Sequence, residues 1–251
     1  RRTAAPRSRC RSSRTRRVPT PMSRISHHAS KQFDVSLIDH LVMAGWAGRD
    51  AAAVEAHIRE LEELGTPRPS RTPVFYRVSS SLLTTADVVQ VVGTETSGEV
   101  EFVLVKLADG LWVGLGSDHT DRGLERSNVA LSKQLCAKVA APTLWRFDDV
   151  AEHWDQLVLR AWAHRGGERQ LYQQGAAAAI LPPARLLELY EQAEVALPVG
   201  GAMFGGTIPV VDAIAPADAF DHGAVPTTLP SMGDRFSTRC ATEVRPNEAR
   251  R

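Results

Sequence analysis

The feature that most constrains this sequence is a series of four short apolar segments between Pro73 and Leu115. Each segment is rich in β-branched or aromatic residues and is bounded by turn-forming residues, which is typical of strands. The segments are Val74–Val78, Val88–Val92, Glu99–Leu107 and Leu111–Leu115. Between the last two, Asp109-Gly110 is a strong hairpin signal, because these residues readily adopt the backbone angles of a tight turn. The centre of the chain is therefore predicted to form a β-sheet.

Fewer segments have the spacing of a helix. Asp50 can cap a helix whose apolar residues recur at helical spacing from Val54 to Leu64. Further helices are predicted over Asp149–Trp162 and directly after Pro182-Pro183, whereas Asp34–Met43 indicates a strand or a short buried element. Short strands mixed with a few helices indicate an α+β, β-rich fold.

The basic residues of the chain are concentrated at its N-terminus. Residues 1–33 contain ten lysines and arginines and no acidic residue, which leaves 20 basic and 29 acidic side chains elsewhere. An acidic body argues against nucleic acid as a partner, because such binding depends on neutralising phosphates. We expect residues 1–21 to be disordered, and we favour Met22 as the start of translation over an organelle transit peptide.

Other patterns exclude several classes of protein. Cys10, Cys136 and Cys240 are far apart and form no C-x-x-C pair, so neither a disulfide framework nor a thiolate zinc site is predicted, and a cytoplasmic location fits. The longest apolar stretch, around Ala176–Leu181, is too short to span a membrane. We expect one catalytic domain over residues 22–220 and a weakly structured segment over 221–251, where the periodicity fades.

Two carboxylates stand two residues apart on the third β-segment. Because side chains two apart share one face of a strand, at a backbone separation of about 7 Å, Glu99 and Glu101 could both reach one cation. A strand with one hydrated face would give the same pattern. Val103 and Val105 continue that face, however, and favour burial.

A second polar cluster, G-S-D-H-T-D-R over residues 116–122, follows the fourth segment. Asp118 could complete a metal triad from a different piece of chain, although an ordinary turn or helix cap is equally compatible. His119 could be a ligand, a base or a structural histidine. A metal-independent hydrolase that uses His119 and Asp121 with Ser117 or Ser132 is a weaker alternative, because no nucleophile motif supports it.

Two later features add to these clusters. Lys133 alone would be interpreted as a surface lysine. The glycine-rich run from Gly200 to Thr207 lets the backbone approach a ligand closely, but it has neither Walker nor Rossmann spacing, so it gives little support for nucleotide binding.

Taken in order, these motifs resemble the fumarylacetoacetate hydrolase-like superfamily and, within it, the family called domain of unknown function 2848 (DUF2848), from about Asp34 to Ala219. In that superfamily an E-x-E strand is followed by an acidic segment, a lysine and a late Gly-Thr. The matching residues here are Glu99, Glu101, Asp118, Lys133 and Gly206-Thr207, with Phe75-Tyr76-Arg77 before the E-x-E strand.

The resemblance implies a β-rich mixed roll with a few peripheral helices. It also implies that Glu99, Glu101 and Asp118 hold Mg²⁺ or Mn²⁺. Carboxylate oxygens are ligands that suit such hard cations. The expected substrate is a small 2-oxo or 1,3-dioxo carboxylate that undergoes C–C hydrolysis, hydration, decarboxylation or isomerisation through a metal-stabilised enolate.

Roles for the remaining residues follow from the same resemblance. Lys133 and His119 are expected to be catalytic, while Gly206, Thr207 and Arg122 are expected to bind substrate, in a cytoplasmic homodimer. The sequence departs from the superfamily in its short interval between Glu101 and Asp118, and no counterpart is identified for the lid histidine–glutamate pair that activates water. The alternative is a non-catalytic ligand-binding or subunit-interaction protein with the same fold.

Overall fold

Two β-sheets form the body of the protein in a computed structural model that describes residues 29–63, 68–226 and 239–247. The predicted basic tail, residues 1–21, lies outside these ranges. The described strands are β1 (Ser30–Gln32), β2 (His40–Gly45), β3 (Val74–Val78), β4 (Leu83–Thr84), β5 (Val88–Val92), β6 (Thr96–Ser97), β7 (Val100–Leu107), β8 (Gly110–Asp118), β9 (Thr120–Asp121), β10 (Lys138–Ala140), β11 (Thr143–Arg146), β12 (Leu157–Arg165), β13 (Glu168–Ala176), β14 (Gly201–Thr207), β15 (Ala219–Pro226) and β16 (Arg239–Asn247).

The larger sheet runs in the order β1-β11-β8-β7-β14-β2-β3 and mixes parallel and antiparallel pairs. In addition, β10 pairs with β8, and β4 pairs with β10. The second sheet runs in the order β13-β12-β15-β16-β5. One core cluster combines apolar side chains from both sheets, and a second contains the alternate residues of β2, β7 and β14. The strand β7 is buried along almost its whole length. This mixed, sheet-rich architecture with few helices is the predicted fold class.

The helices are short and lie around the sheets. They are α1 (Ala51–Glu63), α2 (Arg122–Glu125), α3 (Val129–Leu135), α4 (Phe147–Ala151) and α5 (Pro183–Ala193). Asp50 caps α1 as predicted, because its carboxylate accepts hydrogen bonds from the backbone N–H groups of Ala52 and Ala53. The helix predicted after Pro182-Pro183 is confirmed as α5.

The helix predicted over Asp149–Trp162 is wrong. Helical structure in this range is limited to the end of α4 and one 3-10 turn over Trp154–Gln156, and the chain then enters β12 at Leu157. Within β12, burial alternates, so that Leu157, Leu159 and Ala161 lie inward while the residues between them are more exposed. Pairing with β13 on one side and β15 on the other fixes this two-residue period. The sequence does not reveal the period, because the apolar residues from Val150 onward also fit helical spacing.

Two glycine-rich or weakly patterned segments are strands. The run at residues 201–207 is β14, which pairs with β7 and β2 at the centre of the larger sheet. The strand β15 crosses the boundary predicted at residue 220 and pairs with β12, and β16 pairs with β15 and β5. Residues 221–226 and 239–247 thus depart from the expectation of weak structure.

Within the described ranges, no helix is long and apolar enough to cross a bilayer.

Candidate metal and substrate site

The β7–β8 hairpin brings the three predicted carboxylates together. Asp109-Gly110 forms its turn, and the resulting register places Glu101 opposite Gly116, two residues before Asp118 at the end of β8. The N–H of Asp118 donates to the carbonyl of Glu99 at 3.0 Å. One carboxylate oxygen from each of Glu99, Glu101 and Asp118 lies within 4.8 Å of the other two. This is the spacing that ligands of one cation require.

Asp118 lies between two buried ammonium groups. Lys133 Nζ is 2.5 Å from one of its oxygens, and Lys138 Nζ is 2.6 Å from the other. Burial by itself would raise the pKa of Asp118, but the two lysines outweigh burial and lower this pKa to about 2. Burial also opposes the charge on Lys133, whose pKa is nevertheless raised by Asp118, Glu99 and Glu101. Asp118 is therefore ionised and Lys133 is charged.

Glu99 is held by a third cation. Arg122 Nη2 lies 3.0 Å from Glu99, and the same guanidinium contacts Glu125 at 2.8 Å and Ser97 at 2.7 Å. Lys133 Nζ also lies 3.5 Å from Glu99. The sequence predicts that Arg122 binds substrate. Arg122 does lie at the site, but its guanidinium contacts protein groups and positions Glu99.

Glu101 differs from the other two carboxylates. It is buried, and it accepts one hydrogen bond, from the backbone N–H of Gly206 at 2.8 Å. No basic side chain of the described residues forms an ion pair with it. Burial, followed by repulsion from Asp118, raises the pKa of Glu101 well above its ordinary value. A buried carboxylate needs a cation or a proton, so the donor set fits a hard divalent ion beside Glu101.

Gly206 and Thr207 lie at the end of β14, beside Glu101. Gly206 has φ 98°, and a Cβ at this position would approach Ala47 Cβ to 3.0 Å, which favours glycine. The Thr207 hydroxyl donates to the carbonyl of Val100 and accepts from the amide of Gln173, both at 2.9 Å. Both predicted residues therefore line the site in fixed positions.

The site opens into a cavity of about 1140 Å³. Its acidic end contains Glu99, Glu101, Lys133, Gly206 and Thr207. The other lining residues come mainly from the turn after β2, from α1, from the start of α3 and from the segment after β14. They include Trp46, Arg49, Val54, His57, Tyr76, Arg126, Val129, Ile208, Pro209, Val210 and Ile214.

His57, which the sequence analysis does not single out, lies on α1 and lines this cavity. Its Nδ1 is 3.5 Å from the carboxylate of Glu60, one helical turn later. The pair matches in residue type the lid histidine–glutamate pair that the resemblance implies, although both side chains are exposed. The spacing H-x-x-E on a predicted helix is the signal that could have identified it, because residues three apart share a helix face.

The structure does not bring His119 to the cavity. Its ring is buried against Phe220, edge to face, at a centroid distance of 5.5 Å, and burial followed by the neighbouring His222 lowers the pKa of His119 to about 3. Neither ring nitrogen has a hydrogen-bond partner among the described residues. This placement does not support the predicted catalytic role.

The serine-based alternative is not assembled either. Asp121 caps α2 by accepting from the N–H of Leu124, and the Ser132 hydroxyl donates to a carbonyl of its own helix. Lys133, by contrast, is buried at the triad. It is therefore not a surface lysine, which is how its position in the sequence alone would be interpreted.

Lys138 is the second residue that the sequence analysis does not single out. Its side chain is fully buried, and its ammonium also donates to the carbonyl of His119 at 2.5 Å. It lies at the first position of β10, opposite Asp118. The sequence gives no signal for it, because a lysine in a short strand is ordinarily exposed.

Solved structures of other proteins, among them a fumarylacetoacetate hydrolase family protein, share this fold. The yeast fumarylacetoacetate hydrolase family protein ynq8 superimposes with a TM-score of 0.62 at 15% identity, over 86% of this chain and 97% of that chain. For 2-keto-3-deoxyarabinonate dehydratase the TM-score is 0.61 at 13% identity, over 87% and 77% of the two chains. For 5-carboxymethyl-2-hydroxymuconate delta-isomerase from Mycobacterium smegmatis it is 0.57 at 16% identity, over 84% and 80%.

At these identities the structural likeness concerns the fold alone. Residues 44–228 match the family described as Protein of unknown function (DUF2848), and the chain belongs to that family. No curated protein sequence matches the chain.

Proposed function

We propose that this protein is a divalent-metal-dependent enzyme that acts on a small 2-oxo or 1,3-dioxo carboxylate, as a hydrolase or a lyase. The observation that carries the proposal is the buried carboxylate of Glu101, which forms no ion pair among the described residues yet belongs to a carboxylate triad that borders a large cavity. Similar folds occur in a dehydratase and an isomerase, which act on small molecules.

Glu99, Glu101 and Asp118 would hold Mg²⁺ or Mn²⁺, since oxygen donors suit these ions. When bound, such an ion would polarise adjacent oxo and carboxylate oxygens of the substrate. The three basic groups already present would hold Glu99 and Asp118 in place. Gly206, through its N–H, would fix the orientation of Glu101.

Lys133 is the residue that we assign to charge stabilisation. Its ammonium group lines the cavity beside the triad and is fixed by Asp118. A pre-oriented positive charge in a buried site stabilises negative charge that develops on a substrate oxygen, without reorganisation during the reaction. Such a group accelerates the reaction because it acts more strongly on the transition state than on the ground state.

His57 is the residue that we assign to proton transfer. Its Nδ1 lies 3.5 Å from the carboxylate of Glu60 in an exposed pair, and its Nε2 would take a proton from water or substrate. Because His57 lies on α1 and the triad lies on the β7–β8 hairpin, the cavity would separate the base from the charged end of the substrate.

The first test measures binding of Mn²⁺ and Mg²⁺ to metal-free protein by calorimetry. Glu101→Gln keeps the shape and an oxygen acceptor for Gly206, so it should fold, yet weaken metal binding by more than about 10-fold. Glu152→Gln, an exposed residue of the same type, is the matched control and should bind metal as the native protein does. Unchanged affinity in Glu101→Gln would refute the metal site.

The second test separates an enzyme from a binding protein. The metal-loaded protein is screened for turnover of a panel of 2-oxo and 1,3-dioxo acids, and His57→Asn is then compared with His153→Asn, which removes a half-buried histidine elsewhere. We expect only His57→Asn to lose activity, by about 100-fold or more, with metal affinity retained. Binding of acids without turnover would favour the non-catalytic alternative. The homodimer and the cytoplasmic location stay predictions.

A further inference from the structure

The cavity is larger than a small oxo-acid needs. Its volume is about 1140 Å³, whereas pockets for drug-sized ligands commonly measure about 300–1,000 Å³. Glu99, Glu101, Lys133 and Gly206 occupy one end of it. The polar groups that would recognise an oxo-acid head therefore use only part of the space, and the remainder is available to the rest of the substrate.

The wall away from the triad is mainly apolar. It is formed by side chains from three separate pieces of the chain: Trp46 and Val54 around the start of α1, Val129 at the start of α3, and Ile208, Pro209 and Ile214 after β14. Apolar side chains that converge from distant parts of a sequence onto one cavity indicate a binding surface for an apolar group.

Trp46 has an unusual backbone conformation in this wall. Its φ is 57°, and it is the non-glycine residue with positive φ among those described. A bulky side chain in the left-handed region costs roughly 1–2 kcal/mol, and strain of this kind is retained mainly at functional sites. The indole lies beside the ring of His57, at a centroid distance of 5.7 Å. Trp46 therefore brings an aromatic surface next to the residue that we assign as the base.

The segment after β14 is anchored although it is exposed. The N–H of Val211 donates to the carbonyl of Tyr172 at 2.8 Å, and Val210 forms a bridge with Gln173 of β13. Ile214 lines the cavity, yet 51% of its surface is exposed. An apolar ligand that covers Ile214 would remove this surface from water, which is favourable.

The basic residues at this end of the cavity give an alternative. Arg49 and Arg126 also line it, and they could meet a second carboxylate of the substrate. Arg49, however, is already paired with both oxygens of Asp155, at 3.1 and 2.8 Å. Arg126 is exposed to solvent, where a single ion pair is worth little. The apolar wall is thus the larger contribution to recognition.

We propose that the substrate carries, beyond its oxo-acid head, an aromatic or branched apolar group that packs between Trp46 and Ile214. This inference rests on the proposed function and specifies its substrate class. The head would lie at the triad and Lys133, while the apolar group would fill the wall lined by α1 and by the segment after β14.

The test measures binding of three acids to the Mn²⁺-loaded protein by calorimetry. Pyruvate supplies the head alone, 2-oxoadipate adds an anionic tail, and 4-phenyl-2-oxobutanoate adds an apolar tail. Burial of a phenyl group should strengthen binding by about 10-fold to 100-fold over pyruvate. Equal affinities, or tightest binding of 2-oxoadipate, would overturn the inference while leaving the proposed function intact. If Mn²⁺ binds but none of the acids does, the proposed function fails, and the inference fails with it.

Two surface variants locate the apolar group. Ile214→Asp places a charge on the wall, and Val211→Asp places the same charge on the same segment, at a residue that is 52% exposed but is not part of the lining. Both side chains are on the surface, so both variants should fold. Ile214→Asp should reduce the advantage of the phenyl acid to less than about 3-fold without changing pyruvate binding, and Val211→Asp should preserve that advantage. An equal loss in both variants would contradict the assigned position.

Discussion

Replacement of Lys138 by Met tests how strongly the buried charges at the triad depend on one another. The ammonium of Lys138 forms an ion pair with Asp118 at 2.6 Å and a hydrogen bond with the carbonyl of His119 at 2.5 Å, and its side chain is fully buried. Methionine keeps most of the volume but leaves Asp118 with Lys133 as its remaining lysine partner. Breaking a buried pair on one side typically costs about 3–5 kcal/mol.

The assay is denaturant unfolding of metal-free protein, with the midpoint and the slope measured for each variant. We expect Lys138→Met to lose about 3–5 kcal/mol of unfolding free energy. Lys106→Met, which removes a half-buried lysine from β7, is the control and should change stability by no more than about 0.5 kcal/mol. A loss of that small size in Lys138→Met would refute the assignment of Lys138 as a principal counter-charge of Asp118.

A double variant guards against simple misfolding. If the cost arises from leaving Asp118 charged and under-paired, the losses caused by Asp118→Asn and Lys138→Met should be less than additive in the double variant, because the two side chains interact directly. Additive losses in the double variant would instead show that the two side chains act independently.

Three further changes test other parts of the fold and site. Lys133→Met should lower turnover of any substrate by orders of magnitude and, because Lys133 is buried against Asp118, should also destabilise the protein by about 3 kcal/mol, as measured by thermal unfolding. Leu159→Ala removes a buried side chain of β12 and should lower the free energy of unfolding by about 2–5 kcal/mol in the same assay. The same replacement at an exposed position of a helix would lower it far less. Asp50→Ala should cost about 0.5–2 kcal/mol, because it removes the cap of α1.

The sequence predicts the triad because its geometry is local. Asp109-Gly110 fixes the hairpin register, and that register alone brings Glu99 and Glu101 beside Asp118. The order of the motifs then suffices to predict the DUF2848 family, which the match over residues 44–228 confirms. Lys133 is predicted only through the resemblance to the family, because by itself it would be interpreted as a surface lysine.

Residues whose environment depends on distant contacts are harder to predict. The segment from Val150 to Ala161 fits a helical period, and only its pairing with β13 and β15 shows that it becomes a strand at Leu157. His57 lies on a correctly predicted helix, but the sequence does not state which face of that helix meets the cavity. Lys138 becomes buried only because β10 packs beside β8.

The arrangement of the second sheet bears on the order in which the protein can be made. Among the described strands, β5 pairs with β16 alone, and β16 follows it only after most of the chain. During synthesis β5 therefore lacks its native neighbour. Its valines and its backbone N–H and C=O groups stay unpaired until β16 has been made. Such pairings between distant residues slow folding and prolong the exposure of association-prone edges. Release of a nascent chain before β16 emerges should consequently yield a species prone to aggregate, even though the triad on the β7–β8 hairpin is already complete.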